Sequence, residues 1–422
     1  MEYISSKNIF LLLRDTLKLI DRRPMNHGSR VGYLFVKMLE LKGGYEQYEL
    51  ADFLMLATLH DIGVYKTDNI NNKLNYEFKE ILPHSVYGFL FLRNITPLDD
   101  DKSRMVLYHR VPFRQIQGAH YTYFQETTLL TLAEAAEVYH FALGNYKFDP
   151  KMFRRQEGTF YTTQALDLLD KIVEKDNVFE HLSDDSYQKD IDAILEYMIF
   201  TNEEKKKYME TLMYCIGFRS ESAVKDAVVS LCVSEQLADK LELSEENKEK
   251  LYYATLIHDI GMLSIASEII DAPRKLSDEE INLMRSHVER EEKILLNRMD
   301  PEVVAIAIAH HERCDGSGYP KALKESEMNI EQFTLQVADV VTGLTSDRSY
   351  RKAFEKEKVI DILNEEVANG KLNKKVVDAF CESYDSIMEL AGEEIKKTIQ
   401  MYEILGLKYD AVKERLEGPK KA

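Results

Sequence analysis

The run Leu251-Tyr252-Tyr253-Ala254-Thr255-Leu256-Ile257-His258-Asp259-Ile260-Gly261 decides the fold, because the chain has already used its ending once. An apolar helical run from Leu50 to Leu59 leads into His60-Asp61-Ile62-Gly63, the same tetrapeptide 198 residues earlier. Further pairs keep nearly that offset: His84 and His287 stand 203 apart, His109 and His310 201, Glu134 and Asp339 205. A near-constant offset over chemically matched positions marks a duplicated domain. His27 lies 33 residues before His60 and Asp226 lies 32 before His258, so the second copy carries Asp where the first carries His. Eight of the 11 histidines fall in this register, whereas His120, His140 and His181 do not.

With 422 residues, each half is long enough to bury its own core. Hydrophobic residues make up 45% and charged residues 30%, with only 18 Gly and 9 Pro, which favours a helical globular protein. The expected architecture is all-α, two tandem helical domains over 1–200 and 201–422, with a polar connecting helix near Glu203 to Cys215. No run reaches the roughly 20 apolar residues of a membrane span, so a cytoplasmic protein with no membrane association is expected. Cys215, Cys232, Cys314 and Cys381 are scattered without metal or disulfide spacing and read as free thiols. A net charge of −18 argues against general nucleic-acid binding, so an anionic substrate needs local metals and arginines.

Periodicity predicts an amphipathic helix over residues 1–20, then a turn at Arg23-Pro24-Met25-Asn26 and a helix from about His27. Ser277 with Glu280 forms a capping box that starts the helix carrying His287. The apolar run Val303 to Ala309 ends in His310-His311, and Asp315-Gly316-Ser317-Gly318-Tyr319-Pro320 then calls for turn conformations at both glycines.

A His-Asp pair at the end of a buried helix can serve two metals, the carboxylate bridging them. In the second half Asp226, His258, Asp259 and Asp339 suit one ion, and Asp259, His287, His310 and His311 the other. This mixed nitrogen and oxygen set fits iron or manganese, with nickel and zinc also accommodated. Two ions roughly 3.5–4 Å apart lower the pKa of a bridging water and clamp a phosphoryl oxygen, which points to hydrolysis of phosphate esters.

These residues resemble the HD-GYP branch of the HD phosphohydrolase superfamily: His258-Asp259, His287, His310-His311, the loop Asp315 to Pro320, and Asp339, over roughly residues 215–390. The resemblance implies an all-α fold and hydrolysis of cyclic di-GMP or a related cyclic dinucleotide, with His258 and Asp259 at the catalytic centre. It also implies substrate contacts from Gly318, Tyr319, Arg348 and Arg351. Two departures bear on activity. Asp226 replaces the usual His, and Met262 follows Gly261 where the family has Lys. The first half resembles a divergent HD domain with His27, His60, Asp61, His84, His109 and Glu134 as its metal site. Arg110 replaces the second His there, and no Gly-Tyr-Pro loop follows.

The leading expectation is a metal-dependent cyclic-dinucleotide phosphodiesterase. The alternatives are a catalytically weakened dinucleotide receptor that signals through the first half or a partner protein, and a nucleotide phosphohydrolase acting through the N-terminal site.

Overall fold

The computed structural model describes residues 3–66, 82–118, 121–144, 146, 148–218, 220–347 and 351–417. Its regular elements are α-helices and short 3-10 turns, with only isolated β-bridges such as Asp315 with Lys324 among the described residues. The fold class is therefore all-α, as the periodicity requires. None of the helices is long and apolar enough to cross a membrane among the described residues.

The chain forms two compact units. Asp21–Glu204 with Ile404–Ala422 make the N-terminal unit, and Met1–Ile20 with Lys205–Glu403 the C-terminal unit. Helix Ser6–Ile20 thus groups with the C-terminal unit, whereas a division at residue 200 counts it with the first half. Its anchors there are physical: Asp15 pairs with Arg298, and the Asn8 amide donates to the Arg298 carbonyl at 2.9 Å.

The N-terminal unit is built around a helix that is apolar nearly all round. In the N-terminal unit, helix Gln47–Leu59 buries Leu50, Ala51 and every side chain from Phe53 to Leu59. A helix with no solvated stripe can only lie inside, and each such Leu or Phe contributes roughly 1.5–3 kcal/mol when removed from water. Helix Glu245–Ile257, capped by Ser244, is its counterpart. Both end in His-Asp and continue as 3-10 turns, Ile62–Tyr65 and Ile260–Ser264.

The glycine of each tetrapeptide has a steric reason. A Cβ on Gly63 would lie 2.0 Å from the His84 carbonyl oxygen, and one on Gly261 would lie 2.1 Å from that of His287. No other residue lets the 3-10 turn pack this closely on the helix carrying the next histidine.

Two local expectations are corrected. Residues 23–26 are not a turn: helix Arg22–Lys42 begins there with Asp21 as its N-cap, because Pro24 in a first turn forgoes only an amide that has no intrahelical partner. Of the two loop glycines only Gly316 has a positive φ, at 80°. Gly318 is instead required by space, since a Cβ there would lie 2.4 Å from the Arg313 nitrogen. The capping box of Ser277 and Glu280 is present at the start of helix Asp278–Leu295.

Candidate metal centres

In the N-terminal unit the ligand candidates come from five elements: His27 from helix Arg22–Lys42, His60 and Asp61 after Gln47–Leu59, His84 from Leu82–Ile95, His109 after Asp100–Tyr108, and Glu134 from Phe124–Ala142. All six are buried. Their donor atoms form two tight groups sharing Asp61: His27, His60, Asp61 and Glu134 in one, Asp61, His84 and His109 in the other. Asp61 Oδ1 lies 3.2 Å from His84 Nε2 and 3.6 Å from His109 Nε2, while Oδ2 lies 3.7 Å from His60 Nε2 and 3.9 Å from His27 Nε2.

The second ring nitrogens explain this convergence. His60 Nδ1 meets the Ala57 carbonyl and His109 Nδ1 the Val106 carbonyl, each at 2.6 Å, and His27 Nδ1 meets Glu137 Oε2 at 2.7 Å. A proton on Nδ1 leaves the Nε2 lone pair facing the centre. Those Nε2 atoms of His27, His60 and His109 are buried without a hydrogen-bond partner. Buried lone pairs left unmatched are costly, and a cation among them resolves that cost, so this donor set fits a metal.

Electrostatics follow the same geometry. Burial pulls the His60 and His84 pKa values down to about 4, which keeps both imidazoles neutral and ligand-competent. Burial also opposes charge on Asp61, yet His60, Arg110 and His84 together hold its carboxyl well below the usual range. His27 behaves otherwise: burial would depress it, but the Glu137 carboxylate outweighs that and raises its pKa.

In the C-terminal unit His258 and Asp259 follow helix Glu245–Ile257, His310 and His311 follow Pro301–Ala307, and His287 and Asp339 lie within Asp278–Leu295 and Ile330–Thr345. Asp259 Oδ2 lies 3.5 Å from His258 Nε2, and Oδ1 lies 3.6 Å from His287 Nε2 and 4.0 Å from His310 Nε2. His311 Nδ1 meets Asp339 Oδ2 at 3.2 Å. The Nδ1 atoms of His258, His287 and His310 again meet the carbonyl three residues back, those of Thr255, Met284 and Ala307. Consequently the Nε2 atoms of His287 and His310, 3.2 Å apart, bring two lone pairs face to face, an arrangement suited to a shared cation. Burial holds the pKa of both rings low. Burial opposes ionisation of Asp339 too, but His311 keeps its carboxyl far below the ordinary value.

The tight donor group in this unit is His287, His310 and His311; Asp226 is not part of it and sits half-buried on helix Glu221–Lys240. Tyr319 lies against His311, with ring centroids 4.8 Å apart, and the Arg285 guanidinium is 5.1 Å from the Tyr319 ring centre. Arg351 donates to the Gly343 and Leu344 carbonyls, neutralising the negative end of helix Ile330–Thr345. Arg348 lies outside the described residues.

Several working residues escaped the sequence reading. Glu137, which holds His27, was legible as a second carboxylate one turn after Glu134 in an apolar helix. Arg110, read from the sequence only as the replacement for the second His, pairs with Glu134 as His311 pairs with Asp339. Glu312 is fully buried and fixes the Gly-Tyr-Pro loop by accepting from the Lys321 nitrogen at 2.6 Å and the Leu323 nitrogen at 2.9 Å.

The chain is similar to several known proteins. Residues 210–376 match the family described as HD domain. The chain is 24% identical over 92% of its length to 3'3'-cGAMP-specific phosphodiesterase 1 of Vibrio cholerae, covering 94% of that protein. It is 29% identical to a cyclic di-GMP phosphodiesterase of Pseudomonas aeruginosa, over 55% of this chain and 50% of the relative. A crystal structure of a cyclic GMP-AMP-specific phosphodiesterase of Vibrio cholerae superposes with a TM-score of 0.56 at 15% identity, covering 90% of this chain and 97% of that one, which shows a shared fold.

Proposed function

We propose that the C-terminal unit, whose residues 210–376 match the HD domain family, is a metal-dependent HD-GYP-type phosphodiesterase hydrolysing a cyclic dinucleotide. The observation that carries this reading is the face-to-face pair of His287 and His310 beside Asp259, with His311 and Asp339 adjoining. When bound, two divalent ions, iron or manganese by preference, supply the Lewis acidity that activates water and neutralises phosphoryl charge. Asp259 spans the two ligand sets, with His258, Asp339 and Asp226 on one side and His287, His310 and His311 on the other. Tyr319 and Gly318 border the substrate beside His311, and Arg348 and Arg351 are its phosphate contacts.

A second reading rests on Met262. It occupies the place of a lysine and brings no cation to the leaving group, which favours a receptor that binds the dinucleotide with little turnover.

Hydrolysis of cyclic di-GMP and 3'3'-cGAMP by protein reconstituted anaerobically with iron(II) or manganese(II) separates the two. Turnover abolished by Asp259→Ala and retained in Asp61→Ala is the expected result. Tight metal-dependent binding with no turnover of either compound would leave the receptor reading in its place.

A further inference from the structure

Arg110 follows His109 directly, as His311 follows His310, but the two side chains differ in what a metal requires of them. An imidazole offers a lone pair, whereas a guanidinium carries N–H donors only and cannot ligate a cation. In the C-terminal unit His311 forms a tight donor group with His287 and His310. The N-terminal group built on His84 and His109 has Asp61 as its third member and no second imidazole after His109.

Arg110 also brings a charge of its own. Its guanidinium pairs with Glu134 Oε1 and lies 3.7 Å from Asp61 Oδ2, two carboxylates of the centre. The side chains are 17% exposed at Arg110, 6% at Asp61 and 3% at Glu134, so little water screens the three. Arginine stays protonated in proteins, so this charge cannot be discharged to admit an ion. Among the described residues Arg30 balances Glu137, and Asp61 with Glu134 exceeds Arg110 by one negative charge. One divalent ion turns that into a single positive charge, and a second would leave three in an interior where unmatched charge is costly. The C-terminal centre differs: the ion pairs of Asp259 and Asp339 among the described residues are with histidines, and both carboxylates are left for metal.

We infer that Arg110 stands in for the second cation of the N-terminal centre, so that this centre holds a single divalent ion anchored on Asp61, the carboxylate its two donor groups share. A lone ion cannot bridge a water between two metals, so the two-metal clamp on a phosphoryl group is lost from this unit. The inference concerns the N-terminal unit alone and stands whether or not the C-terminal unit turns over.

Equilibrium dialysis of the full-length protein against manganese(II), with metal counted per chain by atomic emission, tests it. Asp61→Ala reports the content of the C-terminal centre alone, and the wild-type chain is expected to hold one ion more. Arg110→His removes the guanidinium and supplies the second imidazole, and is expected to hold one ion more than wild type. Arg110→Lys keeps the charge and is expected to match wild type. Thermal melts establish which variants are folded, and each comparison with wild type stands without the others. A difference of two ions or of none between wild type and folded Asp61→Ala would overturn the inference, as would folded Arg110→His that takes up no further ion.

Discussion

Glu137 meets His27 Nδ1 at 2.7 Å and so fixes which nitrogen of His27 faces the N-terminal centre. The carboxylate in turn accepts from Arg30, which keeps it ionised: burial opposes its charge, but His27 and Arg30 lower its pKa. His60, His109, His258, His287 and His310 each place Nδ1 on a helix carbonyl, whereas His27 depends there on a side chain that substitution can remove. Glu137→Gln is expected to weaken metal binding in this unit about 10–100-fold, the usual penalty for losing such an outer partner. Chelator competition in an Asp259→Ala background measures it, and unchanged affinity would show that His27 is not a ligand.

Arg110 lies between Asp61 and Glu134, both buried. Arg110→Ala leaves two carboxylates without their shared cation and is expected to destabilise the metal-free protein by about 3–5 kcal/mol. Manganese(II) at the same carboxylates should restore much of that loss. Melting temperatures with and without the ion decide it; a loss that metal does not recover would mean that Arg110 acts through packing.

Glu291 sits one turn after His287, where the N-terminal unit has Gly88 one turn after His84. Its side chain is fully buried and neither carboxylate oxygen has a hydrogen-bond partner. Burial, with the charges of Asp259 and Glu292, raises its pKa well above the ordinary 4.5. The sign follows: below pH 4.5 both folded and unfolded chains hold the proton and no penalty exists. As pH rises toward the folded-state pKa the unfolded chain alone releases it, and stability falls. Glu291→Gln cannot titrate, so its melting temperature relative to wild type should climb as pH goes from 4 to 7. A difference independent of pH would show that Glu291 is ionised in the fold.

Met262, half-buried in the turn Ile260–Ser264, brings no positive charge to the C-terminal site. Met262→Lys is expected to raise kcat on a cyclic dinucleotide by roughly tenfold or more, since a donor aimed at developing charge acts mainly on the transition state. Steady-state kinetics measure the change; a lower KM with kcat unaltered would assign the lysine to ground-state binding only.

The sequence alone determined the all-α class, the duplication and most of the ligand candidates, because His-Asp, the paired histidines and the buried acids recur in register and registers survive linear reading. It also carried the steric role of Gly63 and Gly261 as a pattern without its reason. Tertiary structure decided what no spacing encodes: which nitrogen of His27, His60 and His109 faces the centre, set by carbonyls and by Glu137; that Arg110 pairs with Glu134; that Arg351 closes a helix end; and that three arginines line one cavity. The histidine–carbonyl and Arg351 contacts are local but depend on side-chain direction, and the Glu137 and Arg110 pairs join residues more than 20 apart in the chain; in both cases direction and burial, rather than residue type, fix the chemistry.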